Sequence, residues 1–111
     1  IVDYTAAPIF MKGKGSGAHQ WLIEFDSLPE NMERFTSLLD ETLREVNSDY
    51  DAKRYKDMTM RLPEIVIAQP KLFYSWLSEN KKLGGQHKVP RLSNNRDLIE
   101  DLLEFNAKKP L

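Results

Sequence analysis

The apolar pattern of the chain changes period just after Phe25, and this change limits what the chain can fold into. Trp21, Ile23 and Phe25 recur at every second residue, which predicts a strand over residues 18–25 with one apolar face. His19 falls on the same face near the strand's start, as a boundary histidine. Directly afterwards, Ser27 and Glu30 stand at capping-box spacing with Pro29 in the first turn, a helix-start signature. Met32, Phe35, Leu38, Leu39, Leu43 and Val46 then repeat at helical spacing, predicting a helix to about Val46 with this stripe on the core. The opposite face carries Glu33, Asp40, Glu41, Arg44 and Glu45, and is expected to be solvated. A one-faced strand running into an amphipathic helix calls for a sheet with helices layered on it.

The rest of the chain fits that plan. Ile1 to Ala6 is β-prone, and Pro8 limits central pairing. The run Lys12-Gly13-Lys14-Gly15-Ser16-Gly17 reads as a hairpin connection. It is not a phosphate-binding P-loop, because the Gly-Lys-Ser/Thr ending and a following helix are absent. Asn47-Ser48 breaks the long helix, and Ser48 is placed to cap a shorter one with Asp49 and Asp51 in its first turn. Tyr50, Arg54, Tyr55 and Met58 share one side of that helix. Glu64 to Ala68, bounded by Pro63 and Pro70, is apolar enough to predict a central strand. Leu72 opens a third helix that ends near Asn80. Ser93 or Asn94 caps a last one with Leu98, Ile99, Leu102, Leu103 and Phe105 on its apolar face. The predicted class is α+β, in the order β-β-α-α-β-α-loop-α.

Composition excludes several kinds of chemistry. The chain has 111 residues and no cysteine, so disulfides, thiolate nucleophiles and Cys-based zinc sites are ruled out. His19 and His87 match no metal spacing, and no metal site is expected; Asp49, Asp51 and Asp57 read as a cap and a solvated face. No apolar run nears the ~18 residues of a membrane span, and no leader-like segment opens the chain. The formal net charge of −1 gives no support for a nucleic-acid or membrane partner. A reducing, cytoplasmic setting is the default. No nucleophile elbow, zincin motif, dinucleotide fingerprint or EF-hand loop is present, so no free-standing catalytic site is visible.

One stretch stands apart. Gly84-Gly85-Gln86-His87-Lys88-Val89-Pro90-Arg91 predicts a tight turn followed by a stiff, extended arm presenting Lys88, since Pro90 pushes Val89 to extended geometry. Between Lys71 and Arg96, six cations (Lys71, Lys81, Lys82, Lys88, Arg91 and Arg96) face Glu79 alone, a local +5 in a slightly acidic chain. Such a segment suits an anionic ligand such as a phosphate. Equally, Gly/Pro clusters often only punctuate structure, which leaves a solvated basic loop as the plain reading. A stand-alone module that holds an anion or RNA on residues 71–96 is a further reading.

Gln86-His87-Lys88-Val89-Pro90-Arg91 resembles the Gln-Tyr-Lys-Thr-Pro-Arg segment of the auxin-responsive Gretchen Hagen family, the acyl acid amido synthetases. Asp3-Tyr4-Thr5-Ala6 is similar to the family's acidic-Tyr-Thr-Ser strand, and Gly17 through Glu24 to its glycine-then-aromatic strand ending in Glu. Asn47-x-x-Tyr50-x-x-x-Arg54 and Pro63-x-Ile65-x-Ile67 recur at similar spacing. The pairing of His-Gln-Trp-Leu-Ile-Glu-Phe with Gly-Gly-Gln-His-Lys-Val-Pro-Arg resembles the bacterial branch. Lys71-Leu72-Phe73 stands where plant members have Gly-Thr-Phe.

The resemblance implies an adenylate-forming enzyme. A large N-terminal adenylation domain would hold ATP, with Mg, and a carboxylic acid. A small C-terminal lid domain, rotating between half-reactions, would serve both acyl-adenylate formation and attack by an amino acid. Residues 1–111 would be most of that lid, a fragment of a larger enzyme, with the N-terminal domain missing, no cofactor expected on this chain alone and the isolated chain inactive. By similarity Lys88 is the adenylation lysine. Gly84 and Gly85 would let the loop enter, Arg91 would pair with phosphate or brace the loop, and His87 would pack within the loop. Tyr50 and Arg54 are expected to be structural, holding the second helix against the loop.

Overall fold

The computed structural model describes residues 1–10, 17–55, 60–79 and 89–108. They form β1 (Asp3–Ile9), β2 (Ala18–Glu24), α1 (Met32–Val46), α2 (Ser48–Arg54), β3 (Glu64–Ile67), α3 (Leu72–Glu79) and α4 (Asp97–Lys108). The class and the order agree with the sequence pattern. The sheet order is β1-β2-β3, with β1 antiparallel and β3 parallel to β2. The apolar run 64–68 is therefore an edge strand and not the central one. β2 takes the centre, where both of its faces are covered.

The register sorts the side chains. Thr5 lies opposite Leu22 and Ala7 opposite Gln20, while Ala6 lies opposite Trp21 and Tyr4 opposite Ile23. On the first face, Ala7 and Leu22 pack with Leu72, Phe73, Trp76 and Leu77 of α3, Ile99 and Leu102 of α4, and Val89. The apolar face expected for the last helix is the one that packs here. Trp76 Nε1 donates to Asp101 at 2.8 Å, and Gln69 Nε2 donates to the Asn106 carbonyl at 2.6 Å, so α3 and α4 are tied at both ends.

The second face meets α1 and α2, but less closely than the stripe predicts. Phe25 meets Phe35 edge-on at 5.3 Å, and His19 stacks on Tyr50 at 5.8 Å. Met32, Phe35, Leu39 and Leu43 are only half-buried, and Leu38 (48%) and Val46 (75%) are exposed. The one buried residue of α1 is Asp40, from the face expected in water. The stripe is spread too widely for a short helix pair to cover it, and the main partner of α1 is α2.

The helix boundaries also shift. Ser27 sits in a turn in which its N–H bonds to Asp26, and the cap of α1 is Asn31, whose side chain accepts from Arg34 N–H at 3.0 Å. Asn47, not Ser48, caps α2, accepting from Tyr50 N–H at 3.0 Å. The same residue closes α1 through its N–H to Leu43. Neither Ser93 nor Asn94 caps α4; Asn95 Oδ1 receives the Asp97 N–H instead. Asparagine serves at both of these caps because its short amide reaches the unpaired N–H groups of a first turn.

Lys71 takes φ 62°, the left-handed region that favours glycine. Its N–H donates to Glu24 Oε2 at 3.0 Å, which fastens the start of α3 to the end of β2. This is the position at which the plant pattern has glycine.

Candidate functional site

The arm that follows the basic loop is built onto the free edge of β1. Val89 is buried in the core, so the chain emerges from the first face of the sheet at that point. Pro90 offers its carbonyl to Thr5 Oγ1 at 2.6 Å. Ala6 N–H then donates to the Arg91 carbonyl at 2.9 Å, and Ser93 N–H to the Ala6 carbonyl at 3.1 Å. Leu92 thereby forms a parallel bridge to Ala6. The extended geometry predicted around Pro90 is realised as an edge segment of the sheet.

Arg91 is held by β1. Its guanidinium lies 4.6 Å over the Tyr4 ring, itself 5.6 Å from Trp21, and 3.6 Å from Asp3 Oδ1. Cation–π contact and an ion pair both brace the arm. Further on, Arg96 donates to the Pro8 carbonyl at 3.0 Å and to Gln20 at 2.6 Å, and pairs with Glu100. Two of the six cations in the basic segment are thus engaged within the domain. Lys88, His87, Gly84 and Gly85 lie outside the described residues, as do Lys81 and Lys82. Asp57 and Met58 lie outside them too.

Beside the arm's anchor, a cleft of about 550 Å³ is lined by Val2, Asp3, Glu24, Lys71 and Phe73 among others. Its lining includes two acids, Asp3 and Glu24, which lie opposite each other in the β1–β2 register. Among the described residues no group of three or more metal-ligating side chains forms, and no helix is long and apolar enough to cross a membrane.

A second polar cluster lies between α1, α2 and β2. Arg54 Nε reaches Asp40 Oδ1 at 2.7 Å and Nη2 reaches Oδ2 at 3.2 Å; Tyr50 OH donates to Oδ1 at 2.7 Å. Arg54 Nη1 also donates to the Met60 carbonyl at 3.0 Å. Burial opposes ionisation of Asp40, but hydrogen bonds from Arg54 and Tyr50 outweigh it and hold the carboxyl below its usual range. Burial and the Asp40 carboxylate raise the Tyr50 phenol. Burial, with the Lys53 charge, lowers the imidazole of His19. The roles expected of Tyr50 and Arg54 are structural, and the described bonds join α2 to α1 and to Met60. Tyr50, Asp40 and Arg54 are all buried, so the cluster serves as a brace between the two helices.

Sequence reasoning picked out Arg91 but did not pick out Thr5, Asp3 or Tyr4 as its neighbours. The single signal was their place in a motif shared with the family, because no local spacing links positions 85 residues apart.

The arrangement of a three-stranded mixed sheet, four described helices and an arm bound to the β1 edge defines a small α+β domain. The family model described as the GH3 family C-terminal domain matches residues 1–97, and the chain belongs to that family. Among solved structures it is similar to a GH3.15 acyl acid amido synthetase (20% identity, TM-score 0.63), a match that covers 99% of this chain and 20% of that one. It is also similar to AtGH3.15 acyl acid amido synthetase in complex with 2,4-DB, at 21% identity and TM-score 0.60, covering 94% of this chain and 19% of that one. The chain thus spans about a fifth of the length of either protein. No curated protein sequence matches it.

Proposed function

We propose that residues 1–111 form one domain, the mobile C-terminal lid of an ATP-dependent acyl acid amido synthetase, and that Lys88 serves its adenylation step. The family match over residues 1–97 carries this reading. In the reaction, a carboxylate oxygen attacks the α-phosphorus of ATP and pyrophosphate leaves. The amine of an amino acid then attacks the acyl carbon, and AMP leaves. ATP and its Mg would be bound mainly by a separate N-terminal adenylation domain, in a cytoplasmic enzyme of bacterial type.

The physical case for Lys88 is electrostatic. The first step brings two anions together and builds charge on the phosphate oxygens, which a preorganised ammonium stabilises. Lysine is a point charge that can serve both anions at once. The burial of Val89 and the bonds of Pro90 and Arg91 to β1 support the reading, because they anchor the chain directly after Lys88. Gly84 and Gly85 precede Lys88 in the sequence and suit a turn there, with His87 as its direct neighbour, and Arg91 braces the arm or meets phosphate when the lid closes.

The test uses the full-length enzyme. Lys88→Ala should cut pyrophosphate exchange by on the order of 10²–10³, as does the loss of one preorganised donor. Amide formation from a synthetic acyl-adenylate should persist, since an interaction made in one transition state lowers that step alone. Lys88→Arg should not restore exchange. Equal losses in both half-reactions of a folded variant would overturn the assignment.

A further inference from the structure

Thr5 is 1% exposed in the middle of β1. A hydroxyl so buried needs a partner, and its partner is the Pro90 carbonyl at 2.6 Å. The backbone bonds between β1 and the arm begin one residue later, at Arg91. Pro90 has no N–H with which to extend that ladder. Among the described residues, the Thr5 hydroxyl therefore supplies the hydrogen bond to the arm on the Lys88 side of the ladder, with buried Val89 directly before Pro90.

We propose that Thr5 is a positioning residue for adenylation: its bond to Pro90 fixes the root of the arm, two residues from Lys88 in the chain. This rests on the assignment of Lys88 above. Without the hydroxyl, the Pro90 carbonyl loses its partner and the arm pivots about the ladder at Arg91. A displacement of that kind is costly for a group that must meet a transition state. Substrate affinity, which belongs to other groups, is not affected.

In the full-length enzyme, Thr5→Val keeps the shape and removes the donor, while Thr5→Ser keeps the donor. We expect Thr5→Val to lower the maximal rate of pyrophosphate exchange about tenfold, as one misplaced hydrogen-bonded contact does. The KM for ATP and amide formation from a synthetic acyl-adenylate should not change, and Thr5→Ser should recover most of the exchange. Equal losses in both half-reactions, or no recovery in Thr5→Ser, would make Thr5 a structural residue and overturn the proposal. Normal exchange in Thr5→Val beside a large loss in Lys88→Ala would also overturn it and leave Lys88 standing. Normal exchange in Lys88→Ala would overturn both. Thr5→Ala carries the same comparison if Thr5→Val does not fold.

Discussion

Replacing Asp40 with alanine should destabilise the domain more than any other change on α1. Asp40 is 5% exposed and Arg54 7%, and two hydrogen bonds of 2.7 and 3.2 Å join them. Removing the carboxylate takes two bonds from the buried Arg54 guanidinium, and Tyr50 OH loses its 2.7 Å bond. Breaking one side of a buried pair costs about 3–5 kcal/mol, a large part of the roughly 5–15 kcal/mol that holds a domain together. Arg54→Met should cost a similar amount, for the mirror reason. The double variant should cost much less than the sum, because the two single changes remove the same pair of bonds. Urea unfolding at neutral pH measures all three. The pH dependence has a definite sign. Asp40 ionises more easily in the folded state, so its contribution is complete above the unfolded carboxyl value of about 3.9 and is lost as pH falls through the lower folded value. Asp40→Ala should lack that part of the acid limb. A cost below about 1 kcal/mol for Asp40→Ala, or simple additivity in the double variant, would place the pair in solvent and refute this reasoning.

Two further substitutions test the fold. Leu22, 0% exposed, should lose about 2–5 kcal/mol as Leu22→Ala, whereas half-buried Leu39 should lose clearly less on the same truncation; equal losses in urea would return the α1 stripe to the core. Lys71→Gly should be neutral or stabilising by up to about 1 kcal/mol, because a left-handed residue gains by shedding its Cβ. A loss of more than about 1 kcal/mol on thermal unfolding would contradict the observed φ.

Periodicity revealed the elements and their order, because period two and period 3.6 are properties of neighbouring residues. What it could not reveal depended on distant partners. Asp40 looks solvated on a helical wheel, and only Arg54, 14 positions on, makes burial tolerable. Ile65 to Ile67 looks central by composition, yet which strand is central depends on pairing along β2, set by chain connections and not by apolarity. The caps fell to asparagines, Asn31 four residues after the Ser27 of the capping box and Asn47 one residue before Ser48, a local ambiguity among residues with similar capping chemistry. At the candidate site, the arm's extended shape was legible from Pro90, but its attachment to Thr5 and Ala6 was not. The left-handed backbone at Lys71 had no local signal except the glycine of the plant pattern.

The arm and the Asp40 brace occupy different parts of one sheet, and this separation has a mechanical meaning. β2 is covered on both faces, by α3 and α4 on one side and by α1 and α2 on the other, so the sheet is a firm support. β1, at the edge, would expose a row of unpaired backbone groups, and residues 91–93 satisfy part of that row. The bonds that do so are main-chain bonds, which substitutions on the arm other than to proline leave in place. Before Arg91 the described attachments are of another kind: the Thr5 hydroxyl bonds to the Pro90 carbonyl, and Val89 is buried. A substitution at Thr5 removes a side-chain bond to the arm and leaves the main-chain bonds of Ala6 to residues 91–93 in place, so it tests the arm without opening the sheet.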